Sequence, residues 1–285
     1  MHVSVVMAAY DAEPFVADAV QSVVDQTHRD WELVVVDDGS RDRTADVVRE
    51  FADPRIRVLS TEHSGVLGSV RNVGIDATRG AAVALLDADD VWLPQKLELQ
   101  VACLEERPEV GLVHTAADLL TPHGLRDGPA LADDEPLLRR LLERNFIYSS
   151  SVLVRRGLLD EHGPFDPDPG LGGSPDYDLW LRLAPHTRFA SLAQALLLYR
   201  VHGAQMSGDA RAMQESALAA LQKLRERDPD AARREAAAFA LAVGIRRQLA
   251  GHRGRGRREL LAAVRRRPGY PLAWRWLLRS FVRSA

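Results

Sequence analysis

The chain has 285 residues, of which 46% are hydrophobic and 27% charged, a composition that excludes a disordered chain, a collagen and a multi-span membrane protein. A single cysteine, Cys103, excludes a disulfide framework and a cysteine-based zinc site. The net charge of −3 hides a split, with residues 1–210 at −15 and residues 211–285 at +12, so the two parts are expected to differ in role.

Residues 3–9 (VSVVMAA) form an apolar run interrupted only by the small Ser4, as in a strand buried on both faces. The start of the chain therefore reads as a first strand, not a signal peptide. Asp11 is placed to cap a following helix with Pro14 in its first turn. Strands are predicted at 31–36, 55–60 and 81–86, alternating with helices at 44–51, 64–78 and 94–106. That alternation implies a mostly parallel sheet with helices on both faces. Ligands of such sheets bind beyond the carboxyl ends of the strands. Polar clusters stand at three of these ends: Tyr10-Asp11, Asp37-Asp38 and Asp87-Ala88-Asp89.

Further along, residues 121–136 read as a loop, 135–144 as a short helix and 150–155 as a strand. Residues 163–175, rich in Pro and Gly, read as a long irregular loop, the kind that is often functional. Residues 176–183 are predicted helical, 195–201 a strand, and everything after about 210 helical. No stretch reaches the roughly 18 apolar residues of a membrane span.

Two carboxylates in a D-x-D at a strand end suit Mg2+ or Mn2+, which can bridge to diphosphate oxygens. Asp37-Asp38-Gly39-Ser40 has two readings. One is a strand-to-helix turn with Ser40 or Asp42 as helix cap. The other is a carboxylate that contacts a nucleotide base or ribose. No G-x-G-x-x-G follows the first strand and no G-x-x-x-x-G-K-[ST] occurs, which argues against a dinucleotide fold and a P-loop.

The segments AAYDAEPFV, VVVDDGSRDRT, HSGVLGSVRNVGI, ALLDADDVWLPQKL, SSSVLVRR, GPFD, PDYDLWLRLA and LYRVHGAQMS occur in this order. Together they resemble the family 2 nucleotide-diphospho-sugar glycosyltransferases of the A-type fold, over residues 2–207. The resemblance implies an α/β fold, a mostly parallel central sheet flanked by helices. It implies a catalytic domain over 1–207, followed by a helical, basic C-terminal annex over 208–285. It also implies inverting, metal-dependent transfer of a sugar from a nucleoside-diphosphate donor to a hydroxyl acceptor, with uridine as the favoured base. The acceptor is a glycan, a lipid-linked molecule or a small molecule.

By the same resemblance, Ala8, Tyr10, Asp38, Arg71 and Asp87 bind the donor nucleotide, with Asp38 toward the base and Asp87 toward the ribose or sugar. Asp89 is the expected ligand of Mg2+ or Mn2+, with His202 near the diphosphate or metal. Asp176 is the expected general base and Asp178 its rival, although two residues along a helix Asp178 points elsewhere. The sequence departs from the family pattern at Pro175, where an acidic residue is usual, at Ser69-Val70 and at His63.

Trp92 and Trp180 are either core or sugar-facing surfaces. Cys103 reads as a small buried hydrophobe, and His114, His123 and His186 share no ligand spacing. Residues 251–285 hold ten Arg and one acid, Glu259, beside Trp274, Trp276, Leu277, Leu278, Phe281 and Val282. This tail is a helical lid or a basic amphipathic surface for anionic membrane; no nucleic-acid partner is expected. The expected location is cytoplasmic, with peripheral attachment at the inner face of the membrane as the tail's contribution. The rival readings are a nucleotidyltransferase and a catalytically silent nucleotide- or glycan-binding partner.

Overall fold

The computed structural model describes residues 1–128, 137–203, 205 and 208–281. The expected loop over 129–136 with the start of its following helix, residues 204, 206 and 207 of the LYRVHGAQMS segment, and Val282 lie outside the described residues. The chain forms two compact units. One comprises Met1–Asp133, Ile147–Pro167 and Thr187–Gln205; the other comprises Asp134–Phe146, Asp168–His186 and Met206–Ala285.

In chain order the elements are β1 (Val3–Ala9), α1 (Val16–Val24), β2 (Trp31–Asp37), α2 (Thr44–Arg49), β3 (Ile56–Ser60), α3 (Leu67–Asp76) and β4 (Ala82–Asp87). Next come β5 (Val91–Trp92), α4 (Lys96–Glu106), β6 (Val110–Thr121), β7 (Gly124–Arg126), α5 (Leu137–Glu143), β8 (Leu153–Arg155), α6 (Arg156–His162), α7 (Pro175–Leu183) and β9 (Arg188–Arg200). The tail is α8 (Ala210–Arg227), α9 (Pro229–Arg234), α10 (Ala236–Leu249), α11 (Arg253–Arg266) and α12 (Pro271–Arg279).

All the strands lie in the first unit and form one mixed sheet in the order β3-β2-β1-β4-β8-β6-β9-β5, with β7 paired to β6. The half containing β3, β2, β1 and β4 is parallel. Beyond β4 the directions mix: β8 is antiparallel to both β4 and β6, while β9 runs parallel to β6. The apolar run of β1 is explained by burial on both faces. Val3, Val5 and Met7 join Val20, Leu33, Val35 and Leu86 in one core, and Val34, Val36 and Val70 form the other layer. Each such side chain contributes about 1.5–3 kcal/mol when fully buried. On that second face α3 approaches closely at Gly74, where a Cβ would stand 2.5 Å from a methyl of Val6.

Three local expectations are corrected. Asp11 does not cap α1, whose N-cap is Phe15 with no side-chain cap. The chain is still turning there: Asp11 has φ +45°, and its carboxylate binds the backbone N–H and guanidinium of Arg41. Ser40 does not cap α2, and the residue just before the helix, Arg43, has no side-chain cap; Asp42 does the capping, its carboxylate accepting from the N–H and hydroxyl of Thr44 at the head of α2. Ser40 Oγ instead accepts from Asp11 N, and Asp42 also accepts from Glu13 N, so both fasten the turn after β2 to the turn after β1. Finally, residues 121–126 belong to a hairpin of β6 and β7 rather than to a loop.

The second unit is helical. Asp209 caps α8 by accepting from the N–H groups of Arg211 and Ala212, and Asp228 caps α9 ahead of Pro229. Leu141, Tyr177, Trp180, Leu221, Leu241 and Leu260 are buried. Tyr177 Oη donates to Leu141 O at 2.7 Å, joining α7 to α5. Tyr270 Oη donates to Glu143, joining the start of α12 to α5. Arg139 forks onto Glu235 at 2.8 and 3.1 Å, joining α5 to the start of α10. Among the described residues no helix is long and apolar enough to cross a membrane.

Candidate functional site

Register places the polar clusters side by side. Ala8 on β1 pairs with Val36 on β2 and with Asp87 on β4, so the carboxyl ends of the three strands coincide. Tyr10, Asp38 and Asp89 follow those ends, at the edge where parallel sheets take ligands.

Asp38 is buried, and its carboxylate is already engaged. It accepts from Ser64 N at 2.9 Å and Gly65 N at 3.0 Å, and His63 Nδ1 stands 3.0 Å from the same group. Gly39 makes the turn possible, with φ +72° and no room for a Cβ beside His63 N. The His63 ring stacks on Tyr10 at 4.1 Å between centroids, and Tyr10 stays 39% exposed. Asp38 thus shapes the loop 63–65 that holds His63 against Tyr10. Tyr10 and His63 present a flat aromatic surface at the strand edge.

Arg71, buried on α3, donates to Asp87 Oδ1 at 2.6 Å. Its neighbour Asn72 is bonded to both backbone groups of Phe165, at 2.8 and 2.9 Å, and the Phe165 ring lies 5.1 Å from the Arg71 guanidinium. The Arg-Asn pair and the Gly-Pro-Phe segment therefore form one construction. Asp89 Oδ2 lies 2.9 Å from His202 Nε2, and the His202 ring packs against Phe15 at 4.6 Å.

Asp90, directly after this pair, is 1% exposed. It accepts from Ser150 Oγ at 2.6 Å and Arg200 N at 2.9 Å. Ser150 Oγ also accepts from Asp87 N, and Arg200 Nε donates to Asp89 O at 2.7 Å. The D-A-D-D turn is thus clamped from two sides. Burial, then the charge of Asp87, raises Asp89 above the usual carboxylate range. Burial, then Asp87 and Asp89, raises Asp90 much further. Three carboxylates crowd one strand end, and the accessible ones offer hard oxygens beside an imidazole nitrogen. That donor set and that excess of negative charge fit a divalent cation such as Mg2+ or Mn2+.

In the second unit, Asp176 is the second residue of α7, half-buried in the first turn. Asp178 is 2% exposed and accepts from Arg227 Nη1 at 2.8 and 3.0 Å, with Arg182 Nη2 at 3.7 Å. Its carboxylate is a structural tie between α7 and α8. Trp92 and Trp180 are both core. Trp92 Nε1 donates to Ser150 O. Cys103 is buried and free, and His114 Nε2 pairs with Ser191 Oγ at 2.8 Å. Among the described residues no three His, Cys, Asp or Glu are arranged as a metal cluster.

Residues 4–163 match the profile of glycosyl transferase family 2. The chain belongs to this family. Among its relatives is the Escherichia coli UDP-Glc:alpha-D-GlcNAc-diphosphoundecaprenol beta-1,3-glucosyltransferase WfgD. It is 29% identical over 191 residues, which are 67% of this chain and 72% of that protein. Among solved structures, S. aureus TarS 1–349 in complex with UDP-GlcNAc aligns with a TM-score of 0.67 at 17% identity, over 99% of this chain and 89% of the other. The mannosyltransferase PcManGT from Pyrobaculum calidifontis, in complex with GDP-Man and Mn2+, aligns at 0.65 and 19% identity, over 98% and 79%. At these identities the structural likeness shows the fold, and the sequence match shows the family.

Within this family 2 glycosyltransferase, sequence reasoning named Ala8, Tyr10, Asp38, Arg71, Asp87, Asp89 and His202, and all of them fall in the first unit. Arg71 meets Asp87 and His202 meets Asp89. Asp176 falls in the second unit. Sequence reasoning assigned nothing to Asp90, Ser150 and Arg200. The repeated Asp after D-x-D and the Arg of Tyr-Arg-x-His carried the signal, but their partners lie 60 and 110 residues away.

Proposed function

We propose that this chain is an inverting, metal-dependent glycosyltransferase that moves a sugar from a nucleoside-diphosphate donor, UDP-linked in the favoured reading, to a hydroxyl acceptor in bacterial glycoconjugate synthesis. The observation that carries the reading is the strand-end arrangement of Asp87, Asp89 and His202 beside the Tyr10–His63 stack. Tyr10 and His63 offer an aromatic face to the base. Arg71 holds Asp87 in place for the ribose or sugar. Asp89 and His202 would hold a divalent cation, which supplies Lewis-acid stabilisation to the departing diphosphate when bound. Asp176 takes the proton of the acceptor hydroxyl as the oxygen attacks the anomeric carbon opposite the diphosphate. Such base catalysis contributes about 10²–10⁴-fold.

The acceptor we favour is lipid-linked. The name of the E. coli relative specifies a diphosphoundecaprenol acceptor, and this chain's tail has an apolar face beside its arginines. On and after α12, Trp274, Leu278 and Phe281 are 44%, 64% and 63% exposed, with Arg275 and Arg279 between them. Such a face suits peripheral attachment to an anionic membrane.

The test is a thermal-shift panel of nucleoside diphosphates and their sugars, with and without Mn2+. A ligand at about 100 times its Kd adds about 2.7 kcal/mol to the native state. A shift with UDP or UDP-sugars that requires Mn2+ supports the reading. A panel in which no nucleotide shifts the melting temperature contradicts it.

A further inference from the structure

The second unit contains a cavity of about 470 Å³, within the range of small-molecule sites. Its walls are Arg139, Arg233, Arg234, Glu235, Arg266 and Arg267, together with the first turn of α10. The residues come from α5, from the α9–α10 junction and from the end of α11.

Among the described residues Glu235 is the only acid in this lining, and it is engaged by the fork of Arg139. That pair fixes one wall of the cavity and leaves four guanidinium charges around it. Arg233 pairs with Asp230, but both side chains are more than 70% exposed, where an ion pair is worth little. Arg234 stands 3.9 Å from Asp228. Arg266 and Arg267 have no carboxylate partner among the described residues, and Arg267 lies over the Tyr270 ring at 5.0 Å. The first turn of α10 adds to this field, because the helix begins without a side-chain cap and its orphan N–H groups carry partial positive charge.

Arg233 and Arg234 are only loosely paired at the exposed surface and Arg266 and Arg267 have no carboxylate partner among the described residues, so the concavity is electropositive and favours an anion. The guanidinium fork is matched to phosphate oxygens and binds them bidentately. We infer that this cavity is a binding site for a diphosphate group, distinct from the strand-end residues of the first unit and independent of the function proposed for them. The diphosphate is preferred over a carboxylate because four guanidiniums and a helix N-terminus call for more than one negative charge. The group is either free or the head of an isoprenoid diphosphate.

The experiment is calorimetry on the full chain at low salt with EDTA present, titrating inorganic pyrophosphate, inorganic phosphate and geranyl diphosphate. Pyrophosphate should bind more tightly than phosphate. Arg233→Gln/Arg266→Gln should weaken pyrophosphate at least tenfold while UDP affinity in Mn2+ stays within twofold of wild type. Both arginines are exposed, so the melting temperature should hold. If that variant fails to fold, Arg266→Gln alone should weaken pyrophosphate at least threefold. Geranyl diphosphate binding at least tenfold tighter than pyrophosphate, and lost in the same variant, assigns a lipid-borne head group. Equal affinities assign a free diphosphate. No heat with pyrophosphate, or an affinity unchanged by the substitutions, overturns the inference.

Discussion

Asp176 and Asp178 stand two residues apart on α7, and a matched pair of substitutions separates their roles. Asp178→Asn keeps the side chain's shape but removes the charge that Arg227 grips at 2.8 and 3.0 Å and that Arg182 approaches at 3.7 Å. Breaking a buried ion pair by removing one partner costs about 3–5 kcal/mol. The Arg227 side chain is 37% exposed, so water recovers part of its solvation, and the low end, about 3 kcal/mol, applies. The melting temperature should fall by on the order of 10 °C. Asp176→Asn removes the carboxylate charge in the first turn of α7, and transfer should fall at least 100-fold. Calorimetric melting of each variant and kcat with a donor and acceptor pair are the assays. If Asp178→Asn melts with wild type and loses transfer, while Asp176→Asn retains more than a tenth of kcat, the two roles are reversed.

Three further outcomes follow from the geometry. Asp38→Ala should lower stability by about 3 kcal/mol or more, because its carboxylate holds two backbone N–H groups and His63, with hydrogen bonds to a charged group worth about 1.5–3 kcal/mol each; an unchanged melting temperature with lost UDP affinity would point to base contact instead. Lys96 is fully buried, donating to Gln100 Oε1 at 2.8 Å over the Trp92 ring, and burial holds its ammonium well below the ordinary range. The unfolded chain then binds more protons than the native one up to about pH 10.4, so the wild type should gain on Lys96→Met by up to about 1.4 kcal/mol per pH unit as pH rises toward that value. A difference in melting temperature that stays flat from pH 7 to 9.5 would refute this. Leu278→Asp with Phe281→Asp should leave stability within about 0.5 kcal/mol but abolish co-sedimentation with anionic vesicles at low salt; vesicle binding that survives would remove the tail from the membrane.

Much of the parallel half of the sheet was legible because burial on both faces writes a nearly unbroken apolar run, interrupted only by Ser4 in β1 and Glu32 in β2 and ending on an Asp in β2 and β4. β6 was missed because His114, Thr115 and Asp118 interrupt its pattern; His114 and Thr115 are buried polar residues that only tertiary partners make tolerable. The first half of β9 was missed for a similar reason, since Ser191 and Gln194 break the run. α1 begins later than Asp11 suggests because that residue turns with positive φ. At the site, the motif residues could be named from the sequence, but their pairings could not. Asp38 is bound by backbone 26 and 27 residues away, a partner that no side-chain pattern announces. Asp178 was told from Asp176 by direction along a helix, while the reason it is held there, Arg227, lies 49 residues on.

Calorimetry of UDP binding in Mn2+ and in EDTA, for the wild type and for Asp89→Asn, tests most directly whether a cation at the end of β4 holds the nucleotide. Asp89 faces His202 at 2.9 Å, at the end of β4 where carboxylates crowd. Wild-type affinity should fall at least tenfold when Mn2+ is withdrawn. Asp89→Asn should bind UDP at that weaker level whether or not Mn2+ is present, with its melting temperature preserved. Equal UDP affinity for the two proteins in Mn2+ would contradict that role of the cation.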